Sequence, residues 1–159
     1  IVVEDSKEAP QDWHPRYQSS VKPYEYRILN REMPDPLRRR RTWHVSFPLD
    51  VDKMKKAAEY LEGEHDFQSF CSVHTGAKTT VRTIYALDIE KTGDEIVIRI
   101  SGNGFLYNMV RIITGTLVEV GRGARTPEKV RDMLLAKERG RAGATAPPQG
   151  LTLAGIEYK

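Results

Sequence analysis

The sequence predicts an α+β fold: a mostly antiparallel β-sheet with its helices packed on one face. Three observations point there. Two-residue alternation marks strands in YEYRILN, TWHVSF and EIVIRIS. Thr92-Gly93-Asp94 lies between two strand-like arms as a hairpin turn, and apolar residues recur at helical spacing in three further segments. The order is strands, helix, hairpin, two helices, strand. In that order most neighbouring strands pair antiparallel and the helices gather on one side.

Taken along the chain, YEYRILN places Tyr24, Tyr26 and Ile28 on one face and Glu25, Arg27 and Leu29 on the other. Pro23, with its fixed backbone angle and missing donor, is expected to mark the strand's first residue. REMPDP breaks the pattern with two prolines. TWHVSF directs Trp43, Val45 and Phe47 one way. Asp50 caps a helix in which Val51, Met54, Ala57, Ala58 and Leu61 recur at helical spacing, and Gly63 closes it. HDFQSFCSVHTGAKTT reads as one helical turn and then an irregular polar loop. VRTIYALDIEK and EIVIRIS are the hairpin arms. A long apolar helix is expected from about Phe105 to Val120, ended by Gly121. Thr126 as N-cap and Pro127 in the first turn begin another, with Val130, Met133 and Leu134 on its apolar side. A polar, glycine-rich stretch from Gly140 to Gly150 leads to a last strand, LTLAGIEY.

Composition bounds the function. With 159 residues, 39% hydrophobic and 30% charged, the chain suits one domain, residues 1–159, with an ordinary core. No run approaches the ~20 apolar residues of a membrane span, so no membrane partner is expected. A single cysteine, Cys71, excludes an internal disulfide and fits a reducing cytoplasm, and its simplest role is a small buried hydrophobe. The four histidines have no metal-ligand spacing, SGNG lacks the form of a phosphate loop, and no serine sits in an elbow motif. No repeat or low-complexity tract occurs. The start, IVVEDSKEAP, has no initiator methionine and no targeting segment, which leads us to expect a piece of a longer protein.

Net charge is only +3, but its distribution is uneven. Arg16 to His44 holds eight Lys/Arg against three acids and carries Tyr17, Tyr24, Tyr26 and Trp43. Such interleaving suits RNA phosphates and base stacking; a solvated face over core aromatics fits equally well. Within GFLYNMVRIITG, Arg111 interrupts an apolar helix, with Asn108 and Gly115 nearest along its stripe. Either it snorkels at the rim of the packed face or it points into a cavity and holds an anion in its planar fork.

Four motifs, in this order and spacing, carry a resemblance: HPRYQSSVKPYEYRI, FQSFCSVHTGAKTTVRTI, GFLYNMVRIITGTLVEVGRG and GATAPPQGLTLAGIEY. From about Trp13 to Lys159 the chain resembles the C-terminal half of the tRNA pseudouridine synthase A family. The resemblance implies conversion of uridine to pseudouridine in the anticodon stem–loop of tRNA, at positions 38–40, with no metal and no cofactor. The base is swung out of the stem into a pocket before its glycosidic bond is broken. It implies that Tyr24 is the active-site tyrosine, packing on the flipped uracil and assisting removal of the C5 proton. Arg111 matches the arginine that pairs with the catalytic aspartate and holds it ionised. Leu151 matches an apolar residue lining the uracil pocket, and Lys78 and Arg82 match a basic stretch near the RNA.

One departure stands out. The family's aspartate lies in an Arg-Thr-Asp motif, and the aspartates at 5, 12, 35, 50, 52, 66, 88, 94 and 132 all lie in other contexts. The partner of Arg111 is therefore expected from an N-terminal catalytic half, and this chain alone is expected to be inactive or nearly so. Family resemblance further implies a homodimer in the full-length enzyme. Two other readings compete with catalysis: a non-catalytic RNA-binding module, and a dimerisation domain with no RNA role.

Overall fold

Seven strands and three α-helices make up the computed structural model, which describes residues 2–15, 18, 20–72 and 76–158. Arg16 and Tyr17 of the basic segment, His74, and parts of the first two resemblance motifs lie outside the described residues. The strands are β1 (Ser20–Asn30), β2 (Trp43–Val45), β3 (Gly63–Asp66), β4 (Val81–Thr92), β5 (Glu95–Gly102), β6 (Leu151–Leu153) and β7 (Glu157–Tyr158). The helices are α1 (Val51–Glu59), α2 (Met109–Gly121) and α3 (Lys129–Ala136). The sheet runs β2-β1-β5-β4-β3, and β6 and β7 share the outer edge of β1 with β2.

The centre of the sheet follows the sequence pattern. Ile28, Ile96, Ile98 and Ile100 are buried with Tyr26 in one core cluster, together with Ile112, Ile113 and Leu117 of α2 and Met54 and Ala57 of α1. Gly93 (φ 58°) supplies the positive backbone angle that the two-residue turn between β4 and β5 demands. Asp50 caps α1 as expected, its carboxylate accepting from the Lys53 amide at 3.0 Å, and that bond holds its pKa below the usual range.

Elsewhere the structure corrects the sequence reading. β2 pairs parallel to β1, because residues 31–42 form a crossover of about a dozen residues, long enough to return the chain in the same direction. β2 also ends at Val45. Pro48 restrains Phe47, and the Asn30 side-chain amide donates to the Val45 and Phe47 carbonyls (3.1 and 2.7 Å). Pro23 is not the first residue of β1; it sits inside the strand, opposite Ser101 of β5. Its carbonyl accepts from Ala154, so its missing N–H faces the gap between β6 and β7 and costs the β1–β5 ladder nothing. LTLAGIEY is accordingly two short strands rather than one. β3, unexpected in a polar stretch, pairs antiparallel with β4.

α2 begins at Met109, four residues later than the expected Phe105, because Asn108 takes the left-handed conformation (φ 61°, ψ 9°) and a right-handed helix cannot run through it. α3 begins at Lys129, with Thr126 and Pro127 in a preceding turn, and its far end is finished by buried Ser69. That hydroxyl donates to the Met133 carbonyl (2.6 Å) and accepts from the Glu138 amide (2.7 Å).

The stretch from Gly140 to Gly150, expected to be a polar connector, is partly core. Ala142, Gly143 and Ala146 are buried, and the segment lies as a strap along α2. Gly115 and Gly143 permit the contact: a Cβ on Gly115 would overlap the Ala144 carbonyl oxygen, and one on Gly143 would stand 2.7 Å from the Thr116 backbone. The Thr116 hydroxyl accepts from the Gly143 amide at 2.9 Å. Gly115→Ala is therefore expected to cost about 2 kcal/mol or more in urea unfolding, since backbone must move. Gly140→Ala, where a Cβ meets nothing within 4 Å, is expected to be near neutral in the same measurement.

Candidate functional site

The displaced start of α2 creates a cavity. Residues 103–108 leave the end of β5 as a loop, and Phe105 turns its ring edge-on to Tyr24 of β1 (centroids 5.3 Å apart, planes at 86°). Tyr24, Phe105, Asn108, Arg111 and Leu151 line a hollow of about 240 Å³ above the sheet. Three of the five expected site residues, Tyr24, Arg111 and Leu151, thus meet at one place although 127 positions separate the first from the last. Leu151, opposite Tyr26 in the β1–β6 register, is half-buried and packs on the core from the cavity wall.

Arg111 snorkels only in part. Its Nε donates to the Ala146 carbonyl at 2.7 Å and its Nη1 to Asn108 Oδ1 at 2.9 Å. Both acceptors are neutral, and among the described residues no carboxylate forms an ion pair with it. Of the five N–H donors on a guanidinium, two are used; Nη2 and one Nη1 proton remain uncommitted among the described residues. A half-buried cation held by neutral groups keeps its field directed into the hollow, and this arrangement suits a bidentate anion.

Beneath it, Tyr26 donates its hydroxyl to the Pro147 carbonyl at 2.5 Å. Burial raises this phenol far above its ordinary value, the nearby Arg111 charge pulling it only part of the way back, so it stays a donor. Arg111 and Tyr26 together fix the strap: the Arg111 carbonyl accepts from the Ala146 amide at 3.0 Å while its side chain donates to the same residue.

The other two expected residues lie apart from this hollow. Arg82 is half-buried, its Nη1 donating to the Thr79 and Val81 carbonyls (2.9 and 2.5 Å). With Lys22, Asn103 and Gly104 it lines an adjoining open groove of about 660 Å³ that shares Phe105 and Tyr107 with the first hollow. Lys78 is exposed on the loop whose neighbours Ala77 and Thr79 line that groove, but is not itself in the wall.

The Arg16–His44 segment divides between the two faces of the sheet. Arg27 pairs with Glu25 and Glu95 (2.9 and 2.6 Å), Arg38 with Asp35 and Glu95, and Arg31 with Asp35 and Asp94, so those cations are neutralised on the outer face of the sheet. Partial burial pushes the Glu25 carboxyl up, but hydrogen bonds from Arg27 and Arg99 outweigh it and leave the pKa lowered. Tyr26 and Trp43 pack in or against the core rather than standing free for stacking. Among the described residues of the segment, Lys22 and Tyr24 are the ones that line the two hollows.

A further cleft of about 280 Å³ beside α3 is lined by Arg125, Lys129 and Arg141, but each is paired, with Glu119, Asp132 and Glu138 respectively. Among the described residues no group of three or more His, Cys, Asp or Glu is placed to hold a metal, and no helix is long and apolar enough to cross a membrane. Sequence reasoning missed Asn108 and Phe105 as wall residues. The available signal was asparagine's tolerance of the left-handed region one residue before an apolar helix.

Comparison with known proteins adds a second line. Residues 57–159 match a family profile described as tRNA pseudouridine synthase. The chain is 52% identical over 158 residues to tRNA pseudouridine synthase A of Brevibacillus brevis, a match covering 99% of this chain and 65% of that protein. The namesake of Thermoanaerobacter sp. is 50% identical and that of Geotalea uraniireducens 43% identical, each over the same shares. The chain therefore spans about 65% of the length of these relatives.

Removing the Tyr26 hydroxyl tests the strap. Tyr26→Phe is expected to cost about 1–2 kcal/mol and to speed amide exchange of Ala146, while the β1–β5 ladder keeps its protection. Unchanged exchange at Ala146 would contradict the anchoring role.

Proposed function

This chain belongs to the tRNA pseudouridine synthase family, and we propose that it supplies the C-terminal half of the active site of such an enzyme. The observation that supports this most is the convergence of Tyr24, Arg111 and Leu151 on one hollow, with Arg111 offering uncommitted donors and no carboxylate beside it among the described residues. In this reading a uridine from the anticodon stem–loop, at positions 38–40, swings into the hollow. Tyr24 and Leu151 hold its faces. An aspartate from an Arg-Thr-Asp segment docks on the Nη1–Nη2 edge of Arg111, which keeps it ionised and aimed at the sugar.

The bond from N1 to C1′ breaks, the base turns, and C5 bonds to C1′. One proton leaves C5, assisted by Tyr24, and one is taken up at N1, so the product is an isomer of the substrate. No metal or cofactor enters these steps. Lys22 and Arg82, in the adjoining groove, meet the phosphates flanking the flipped nucleotide, and Lys78 reaches the backbone further out. The complete enzyme works as a homodimer in the cytoplasm, each tRNA touching both subunits.

Tritium release from tRNA labelled at uridine C5 tests this reading. We expect release by this chain joined to the Arg-Thr-Asp segment and none by the 159 residues alone. Arg111→Ala in the active form should slow release about a hundredfold or more, with tRNA affinity changed less than about threefold. Release by the short chain would assign the chemistry to one of its own aspartates. Silence from both would leave an RNA-binding module.

A further inference from the structure

Asn108 does three things at once. It holds a left-handed backbone (φ 61°, ψ 9°), rare outside glycine, immediately before α2. Its Oδ1 accepts from Arg111 Nη1 at 2.9 Å, and its Nδ2 donates to Ser72 Oγ at 3.0 Å. Ser72 is held in turn, its amide donating to the Tyr107 carbonyl at 3.1 Å. A guanidinium only donates, so the amide orientation is decided: oxygen toward Arg111, nitrogen toward Ser72.

These facts specify the residue type closely. The backbone angle favours Gly, Asn or Asp. Glycine has nothing with which to reach Arg111. Aspartate accepts from Arg111 but cannot donate to Ser72, and it would place a permanent anion on the cation. Asparagine alone of the three takes the angle, accepts from the arginine without neutralising it, and spends its amine on a second anchor. Strain kept at a site wall is also the kind of feature that surrounding structure retains for a purpose.

We propose that Asn108 is a positioning residue for pseudouridine formation: through its bond to Nη1, backed by Ser72, it turns the Arg111 guanidinium so that the Nη1–Nη2 edge meets the catalytic carboxylate. Ala146 fixes the Nε end of the same plane, and two contacts on a planar group define its rotation where one would not. The inference rests on the catalytic reading given above.

The test uses the active enzyme, with single-turnover tritium release and tRNA affinity measured for wild type, Ser72→Ala, Asn108→Gly and Asn108→Asp. Asn108→Gly keeps the backbone angle, so the helix start survives while the clamp is lost. We expect its rate to fall about tenfold or more with affinity within about twofold, since a slightly misaimed group loses rate rather than binding. Ser72→Ala should fall less, because Asn108 loses only its second anchor. Asn108→Asp, the closest replacement in shape, should fall furthest, because its carboxylate occupies the arginine in place of the catalytic one.

A purely structural cap predicts a different order, with Asp and Gly nearly as good as Asn. Wild-type rates for Asn108→Gly or Asn108→Asp overturn the proposal. If Asn108→Gly fails to fold, Ser72→Ala and Asn108→Asp still decide it by their order. A wild-type enzyme that releases no tritium defeats the catalytic reading and this inference with it, an outcome distinct from active enzyme with indifferent variants.

Discussion

The contact between the strap and α2 at Gly115 is the constraint on which the site depends. Only a residue without a side chain lets the Ala144 carbonyl approach the helix there, and that approach brings Ala146 within reach of Arg111 four residues earlier, on the same stripe. The Arg111 backbone and side chain both bond Ala146, and Tyr26 bonds the next residue, Pro147. The strap then delivers Leu151 to the edge of β1 beside Tyr26, so the cavity wall and the orientation of the arginine share one cause.

A second consequence is electrostatic. Most arginines near β1 face the outer side of the sheet and are paired: Arg27, Arg31, Arg38 and Arg99 all meet carboxylates there. Pairs this exposed contribute little each to stability, but they offset the charge of these four arginines. On the inner side Arg111 meets only amide and carbonyl oxygens. The sheet thus separates neutralised arginines from one whose charge is still available to a ligand. Position and partner, not the number of basic residues, set where an anion is favoured.

Much of the fold was legible because its signals are local. Alternation in YEYRILN and EIVIRIS, the Gly93 turn and the Asp50 cap depend on neighbours a few residues away, and each is where the pattern placed it. What was illegible depends on distant chain. The parallel pairing of β2 is decided by the path of residues 31–42, the interior position of Pro23 by the break between β6 and β7, and the burial of Ala142 and Ala146 by the absent side chain at Gly115. Of the site, the Asn108–Arg111–Gly115 stripe was visible as a spacing, but its meaning was not: one member bonds the arginine's Nη1, one is the arginine, and one admits the strap. Phe105 was misplaced on a helix because a left-handed residue leaves no mark in hydrophobic periodicity.

The most direct test of the account is a crystal structure of the complete enzyme bound to an anticodon stem–loop. The account predicts a flipped uracil in the hollow between Tyr24 and Leu151, and a carboxylate of an Arg-Thr-Asp segment on the Nη1–Nη2 edge of Arg111, with the bonds from Arg111 to Asn108 and Ala146 kept. A base lodged elsewhere, or an Arg111 that still meets only Asn108 and Ala146 while the base is in place, would contradict it.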